Sequence, residues 1–272
     1  MFSSLHRFGG LLALGLLVAA GARAQAPVRS EIVPAAPSDE QSYSKEVVYG
    51  INFNTQGGLL GGASVRSSRV LDDRLLRFWS IEGVMLKDKA KELTVNTIVG
   101  GSYVDRKTNY AFVLRPSIGM QRILFRKAAD AGVQVNGLLS VGPSIGLLMP
   151  YYISYDYTAA RTQVINIQTD DIRNEQYDPL KHVDPNVILD HGPLFSGIGE
   201  TKVVPGFHAR GGLSFEYGRY RDAVTGVEVG VLVEGFTKRM VILSPSNLAE
   251  TDRLNRQFFP SVYLTLYFGH RS

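Results

Sequence analysis

The chain has 272 residues, with 29 Lys and Arg against 25 Asp and Glu, and no cysteine. The lack of Cys excludes a disulfide framework, a thiolate metal site, a cysteine nucleophile and a cysteine-linked lipid anchor. The small basic excess comes without a basic run or an aromatic stacking motif, which argues against a nucleic-acid partner, while 28 Gly, 13 Tyr and 13 Phe suit the walls of a barrel.

The N-terminus reads as an export signal. Arg7 follows a short polar start, an apolar run extends from Gly9 to Gly21, and Ala22-Arg23-Ala24 places small residues where a signal peptidase reads. A membrane-spanning helix needs about 20 apolar residues, and this run is shorter. Residues 1–24 are therefore expected to be a cleavable signal peptide. Residues 25–44, with three Pro among small and polar residues, read as a flexible periplasmic lead-in, and 45–272 as one barrel domain. No heptad or solenoid period is present.

From Glu46 the pattern becomes period two, the signature of strands with one apolar and one polar face. Over 46–56, Val47, Tyr49, Ile51 and Phe53 alternate with Glu46, Gly50, Asn52 and Asn54. The stretch 59–68 repeats this with Ser64, Arg66 and Ser68 on the polar side. Over 74–86, Trp79, Ile81 and Met85 oppose Ser80 and Glu82. Over 110–122, Tyr110, Phe112, Leu114, Ile118 and Met120 oppose Arg115, Ser117 and Gln121.

The stretch 132–155 is hydrophobic enough to suggest a helix. Pro143, Pro150 and several Gly oppose that. It reads as one long strand with a bulge near Gly142-Pro143, because Pro cannot donate to a central ladder. Three further strands follow. Over 206–218, Phe207, Leu213, Phe215 and Tyr217 face away from His208, Arg210, Ser214 and Glu216. Over 224–237, the even-spaced Val residues oppose Glu228 and Glu234, and over 257–268, Val262, Leu264, Leu266 and Phe268 oppose Ser261, Tyr263, Thr265 and Tyr267.

None of these eight spans contains Lys or Asp. A soluble barrel points its charges outward, so this polar face suits a narrow lumen and the apolar face suits lipid. Tyr49, Trp79, Tyr110, Tyr151 and Tyr217 are the expected aromatics of the membrane interfaces. The connections agree. The even ones (69–73, 123–131, 219–223) are short, and the odd ones after the first (87–109, 156–205, 238–256) are long, as periplasmic turns and external loops are. The expected fold is all-β: a closed antiparallel up-and-down transmembrane β-barrel of eight strands.

The mature region resembles the small outer-membrane β-barrel proteins of Gram-negative envelopes, the OmpA/OmpX-like size class. Residues 49–62 (YGINFNTQGGLLGG), 77–84 (RFWSIEGV) and 124–155 are similar to recurring segments of an uncharacterised barrel family. The resemblance implies the fold and a bacterial outer-membrane location, and it implies no activity. The terminal 262–268 alternation resembles the signal read by barrel-assembly machinery, though Gly269-His270-Arg271-Ser272 follows the last aromatic.

The inward parity collects Glu46, Arg66, Glu82, Arg115, Arg210, Glu216, Glu228 and Glu234, which must pair in a narrow interior. Eight strands leave room for little more than side chains, so a salt-bridged plug is expected ahead of an ion or solute pore. His208, Ser214, Glu216 and Glu228 form a Ser/His/Glu set that a lipid-modifying enzyme could use, but no enzyme motif surrounds them. Asp170, Asp171, Asp178, His182, Asp184, Asp190 and His191 lie in the 156–205 loop without EF-hand or HExxH spacing. They read as a solvated acidic loop, so no metal and no cofactor is implied. A loop of this length is the natural contact region. The expected role is non-enzymatic (structural, surface-interaction or envelope-assembly), with outer-membrane lipid, assembly machinery and a surface or envelope protein as partners.

Overall fold

The computed structural model describes residues 43–56, 58–87, 93–95, 100–126, 132–162, 171–217, 223–244 and 254–272. The expected signal peptide and all but the last two residues of the lead-in lie outside the described residues. Thirteen strands are described. Eight build the barrel: β1 (Lys45–Asn54), β2 (Gly58–Asp72), β3 (Leu75–Leu86), β6 (Asn109–Phe125), β7 (Val133–Pro150), β11 (Lys202–Tyr217), β12 (Ala223–Phe236) and β13 (Phe258–Arg271). Five short ones lie in the connections: β4 (Leu93–Val95), β5 (Ser102–Val104), β8 (Tyr152–Asp156), β9 (Ile172–Gln176) and β10 (Ile188–His191).

The barrel strands pair in chain order and close β1 onto β13, from Glu46↔Arg271 to Asn54↔Tyr263. All neighbours are antiparallel, so no barrel strand is left with an open edge. One end of the barrel, the terminus end, carries the start of β1, the end of β13 and the turns after β2, β6 and β11, while the short turn after β1 lies at the opposite end. The other, the cap end, carries the connections 87–108, 151–201 and 237–257.

Alternation decides which side chains enter. On β13, Phe259, Ser261, Tyr263, Thr265 and Tyr267 are buried, while Phe258, Val262, Leu264, Leu266 and Phe268 are exposed. The same inversion runs round the wall, with Ile51, Val65, Ile81, Ile118, Leu139, Phe207, Leu213 and Val231 all exposed. Charged side chains inside and an exposed apolar belt outside are the reverse of a water-soluble barrel. Such a surface is stable only in lipid. Lys and Asp occur on the barrel strands only at their ends, as Lys45, Asp72 and Lys202.

The long strand expected over 132–155 ends at Pro150, and Tyr152–Asp156 leaves the wall to found a separate sheet. The expected bulge at Gly142-Pro143 is absent. Pairing with β11 runs through both residues in one register, from Lys202↔Leu148 to Tyr217↔Val133. Pairing with β6 lapses after Leu114↔Ile145 and resumes at Ile118↔Val141 without a shift. In that register Pro116 stands opposite Pro143, and neither has an N–H to give. Two prolines facing each other remove ladder bonds without needing an extra residue. Gly142 lets the backbones close over the lapse, since a Cβ there would lie 2.0 Å from the Pro116 carbonyl oxygen. Gly142→Val should therefore cost about 1–3 kcal/mol or more by overpacking. Loss of the compact, unboiled gel band at lower urea than wild type is the measurement that checks it.

Candidate functional site

The middle of the lumen is filled by one connected polar chain. Arg66 bonds Glu228 at 2.7 Å, and Arg210 bonds the same carboxylate at 2.9 Å and Glu82 at 3.4 Å. Arg115 reaches Glu82 at 3.5 Å and clasps Glu234 with two bonds of 2.8 and 2.7 Å. Such fork-to-carboxylate pairs are the strong form of the interaction. Tyr263 donates to Glu228 at 2.9 Å, and its ring lies 3.7 Å under the Arg210 guanidinium. Asn52 donates to Glu82, and Ser144 donates to Glu234 at 2.6 Å. Nearer the terminus end a second group forms, in which Arg271 binds Glu46 at 2.9 Å and Glu216 at 2.8 Å.

All eight charges expected on the inward parity thus enter the lumen. The period-two reading missed Arg271, because the strand was ended at Phe268. Continuing the parity of Tyr263, Thr265 and Tyr267 by two steps reaches it. Between Arg66, Arg210, Glu82 and Glu228 remains a cavity of about 30 Å³, room for a water molecule but not for a passing solute.

An apolar stopper closes the lumen at the cap end. Met240, Ile242 and Leu243, from the connection after β12, pack among the inward residues Val84, Leu86, Val113, Leu148, Val204, Phe236 and Phe259. Asn255 pins the stopper, accepting from the N–H groups of Ile242 and Leu243 and donating to the Leu243 carbonyl. Gly146 makes room for it: a Cβ there would lie 3.0 Å from Met240 Cε and Sδ.

The described residues of the 151–201 connection, 151–162 and 171–201, form a small folded cap, where a solvated acidic loop is expected. Its sheet has the order β10-β8-β9. Ile153, Tyr155, Tyr177, Val187 and Ile188 pack with Tyr103 of β5 and with Tyr110, Met149 and Tyr151 at the barrel rim. Lys107 lies 3.3 Å from the Tyr110 ring and 4.7 Å from that of Tyr151. Tyr110 and Tyr151 are therefore not lipid-interface residues. They point outward, as their parity requires, but near the rim the cap covers them. Burial pushes the Tyr151 phenol up to about 12, although it accepts a bond from the Val104 N–H. Tyr49, Trp79 and Tyr217 stay on the outer surface.

Asp170 lies outside the described residues; the described acidic residues and histidines of the cap make internal contacts. His182 accepts from the Asp178 N–H at 2.9 Å, shares a 2.9 Å hydrogen bond with Glu175, and lies between the rings of Tyr155 and Tyr177. Arg161 and Arg173 both bind Asp171. Among the described residues no group of three or more His, Asp or Glu converges as a metal site. The Ser/His/Glu set is not assembled either. His208 meets Ser144 at 3.0 Å, whereas Ser214 bonds Tyr267 and Glu216 bonds Arg271. The Ser144–His208 pair is buried in the plugged lumen.

Two measurements follow from this geometry. Arg115→Ala leaves buried Glu234 without its cation and Glu82 with Arg210 alone, and should cost about 3–5 kcal/mol, read as a lower urea midpoint in lipid vesicles. In the cap, burial alone would raise the Glu175 carboxyl. Hydrogen bonds from Lys181, His182 and Tyr157 outweigh it and hold the group at about 2. A depressed carboxylate stabilises the fold above its ordinary value of 4.5, and that contribution is lost as pH falls toward about 2. Amide hydrogen exchange in residues 172–191 should accelerate across that window, and Glu175→Gln should flatten the change.

Among solved structures, the chain is similar to Ail, the attachment invasion locus protein of Yersinia pestis, in complex with the heparin analogue sucrose octasulfate. The two share 10% identity over 84% of this chain and 97% of that one, with a TM-score of 0.33. It is also similar to Neisserial surface protein A, at 8% identity over 85% and 97% of the two chains, with a TM-score of 0.35. No protein-family model matches the sequence, and no curated protein matches it. By its own strand pairing and its outward apolar surface, the chain is a small eight-stranded transmembrane β-barrel.

Proposed function

We propose that this barrel resides in a bacterial outer membrane after export by a cleaved signal peptide, and serves as a non-conducting, non-enzymatic mount for its external cap. The cap is the part that meets a surface or envelope partner. The observation that carries this reading is the double closure of the lumen, by the Arg–Glu chain and by the Met240–Ile242–Leu243 stopper. A pore needs a continuous wet path, and a lipid-modifying enzyme needs its nucleophile within reach of lipid. The filled lumen favours neither. With transport and catalysis disfavoured inside, the exposed material at the cap end is what is left to act. It includes Leu180, Val183, Leu194, Phe195 and Ile198, all more than half exposed. Phe195 also holds a positive φ of 74°, a conformation that costs a bulky residue about 1–3 kcal/mol and gathers at contact sites. Barrel-assembly machinery is the expected partner during insertion, and outer-membrane lipid the permanent one.

Purified protein in planar bilayers should give no discrete conductance steps. Reproducible unitary steps would overturn the closed-barrel reading. On intact cells, added trypsin should cut the cap after Lys181 while the strands stay protected. Cleavage seen only after the envelope is permeabilised would put the cap on the wrong side.

A further inference from the structure

Toward the terminus end, the outer wall carries cations where the alternation calls for lipid-facing residues. Lys45 on β1, Arg69 on β2, Arg77 on β3 and Arg122 on β6 are all outward and exposed. Lys45 pairs across the ladder with Arg69, and Arg69 pairs directly with Arg77. Arg122 pairs with Leu75, two residues along from Arg77 on the same face. Among the described residues none of the four side chains has an ion-pair or hydrogen-bond partner. In the turn below them, Asp72 accepts from the Asp73 N–H, and the Asp73 carbonyl accepts from Arg126.

Like charges directly opposite each other on neighbouring strands repel. These also sit in apolar surroundings. Trp79, Ile118 and Met120 are exposed on their cap side, and Leu71 and Leu124 on their terminus side. The row therefore belongs to the edge of the lipid belt. A depression of about 370 Å³ opens there, lined by Ser67, Arg69, Arg77, Phe78, Trp79 and Ile118. It has two guanidinium groups at one end and apolar wall at the other. A phospholipid has that same polarity, and arginine forks match phosphate oxygens in pairs.

We propose that this depression binds an anionic phospholipid of the phosphatidylglycerol class from the leaflet nearest the start of β1 and the end of β13. Arg69 and Arg77 hold the phosphate, Ser67 lies beside it, and Trp79 and Ile118 line the start of the acyl chains. Lys45 and Arg122 add to the attraction without reaching the same phosphate. The site is continuous with the lipid belt, and its charge selects an anionic headgroup over a zwitterionic one.

Trp79 is the chain's only tryptophan, so the site reports its own occupancy. The protein is reconstituted in phosphatidylcholine vesicles containing a few per cent of phosphatidylglycerol brominated on its acyl chains, and Trp79 quenching is compared with that by equally brominated phosphatidylcholine. The expected result is several-fold greater quenching by the anionic lipid. Unlabelled phosphatidylglycerol should abolish the excess, as should the double variant Arg69→Gln/Arg77→Gln, whose heat-dependent gel mobility shows that it remains a folded barrel. Equal quenching by the two lipids in wild type would overturn the proposal. So would a preference that survives the double variant, or one that lipid A removes and phosphatidylglycerol does not.

Discussion

The interior of this barrel depends on Arg115 and the carboxylates either side of it. An eight-stranded wall must be filled, because strand tilt and stagger leave a lumen about as wide as side chains are long. Here the filling is ionic. Arg115 ties Glu82 on β3 to Glu234 on β12, and Arg210 and Arg66 carry the chain on to Glu228. Arg115–Glu82 and Arg210–Glu228 join neighbouring strands, but Arg115–Glu234, Arg66–Glu228 and Arg210–Glu82 cross the lumen and form only when the cylinder closes. Closure, register and lumen chemistry are then one event. A one-residue slip would turn a strand's charges toward lipid and its valines toward the carboxylates.

That coupling explains why so much of the wall was legible beforehand. Side chains alternate with period two in any strand, and the membrane sorts them without ambiguity: Val262, Leu264 and Leu266 out, Tyr263, Thr265 and Tyr267 in. The expected lumen charges follow from the same parity. Arg271 escaped for a local reason, since the apolar half of the pattern stops at Phe268 while the strand continues to Arg271. The bulge at Gly142-Pro143 was inferred from one proline alone. Its partner, Pro116, stands opposite only once two strands are in register, and a single strand cannot show that.

The cap and the stopper were illegible for a different reason. Met240, Ile242 and Leu243 are three apolar residues in a connection, with no period to announce them. Their environment comes from six barrel strands and from Asn255, more than ten residues on. In the cap, β8, β9 and β10 are four or five residues each, too short for alternation to stand out. What holds them is aromatic burial against Tyr110 and Tyr151, two residues whose parity alone reads as lipid-facing. The outward parity was correct. Whether lipid or protein covers an outward residue depends on its height along the strand, which sequence alternation does not encode.

The same distinction of height separates the two kinds of charge on this molecule. Inside, every arginine of the central chain is matched by glutamate, because a lone ion in a narrow lumen is costly. Outside, Arg69, Arg77 and Arg122 have no carboxylate in reach among the described residues and stand together on one flank. Inward pairing shows that unmatched cations are not tolerated where only protein can answer them. An outward row at the edge of the apolar belt is tolerable because the membrane supplies the anions there. The barrel thus neutralises its interior with its own side chains and leaves its terminus-end rim to be neutralised by lipid.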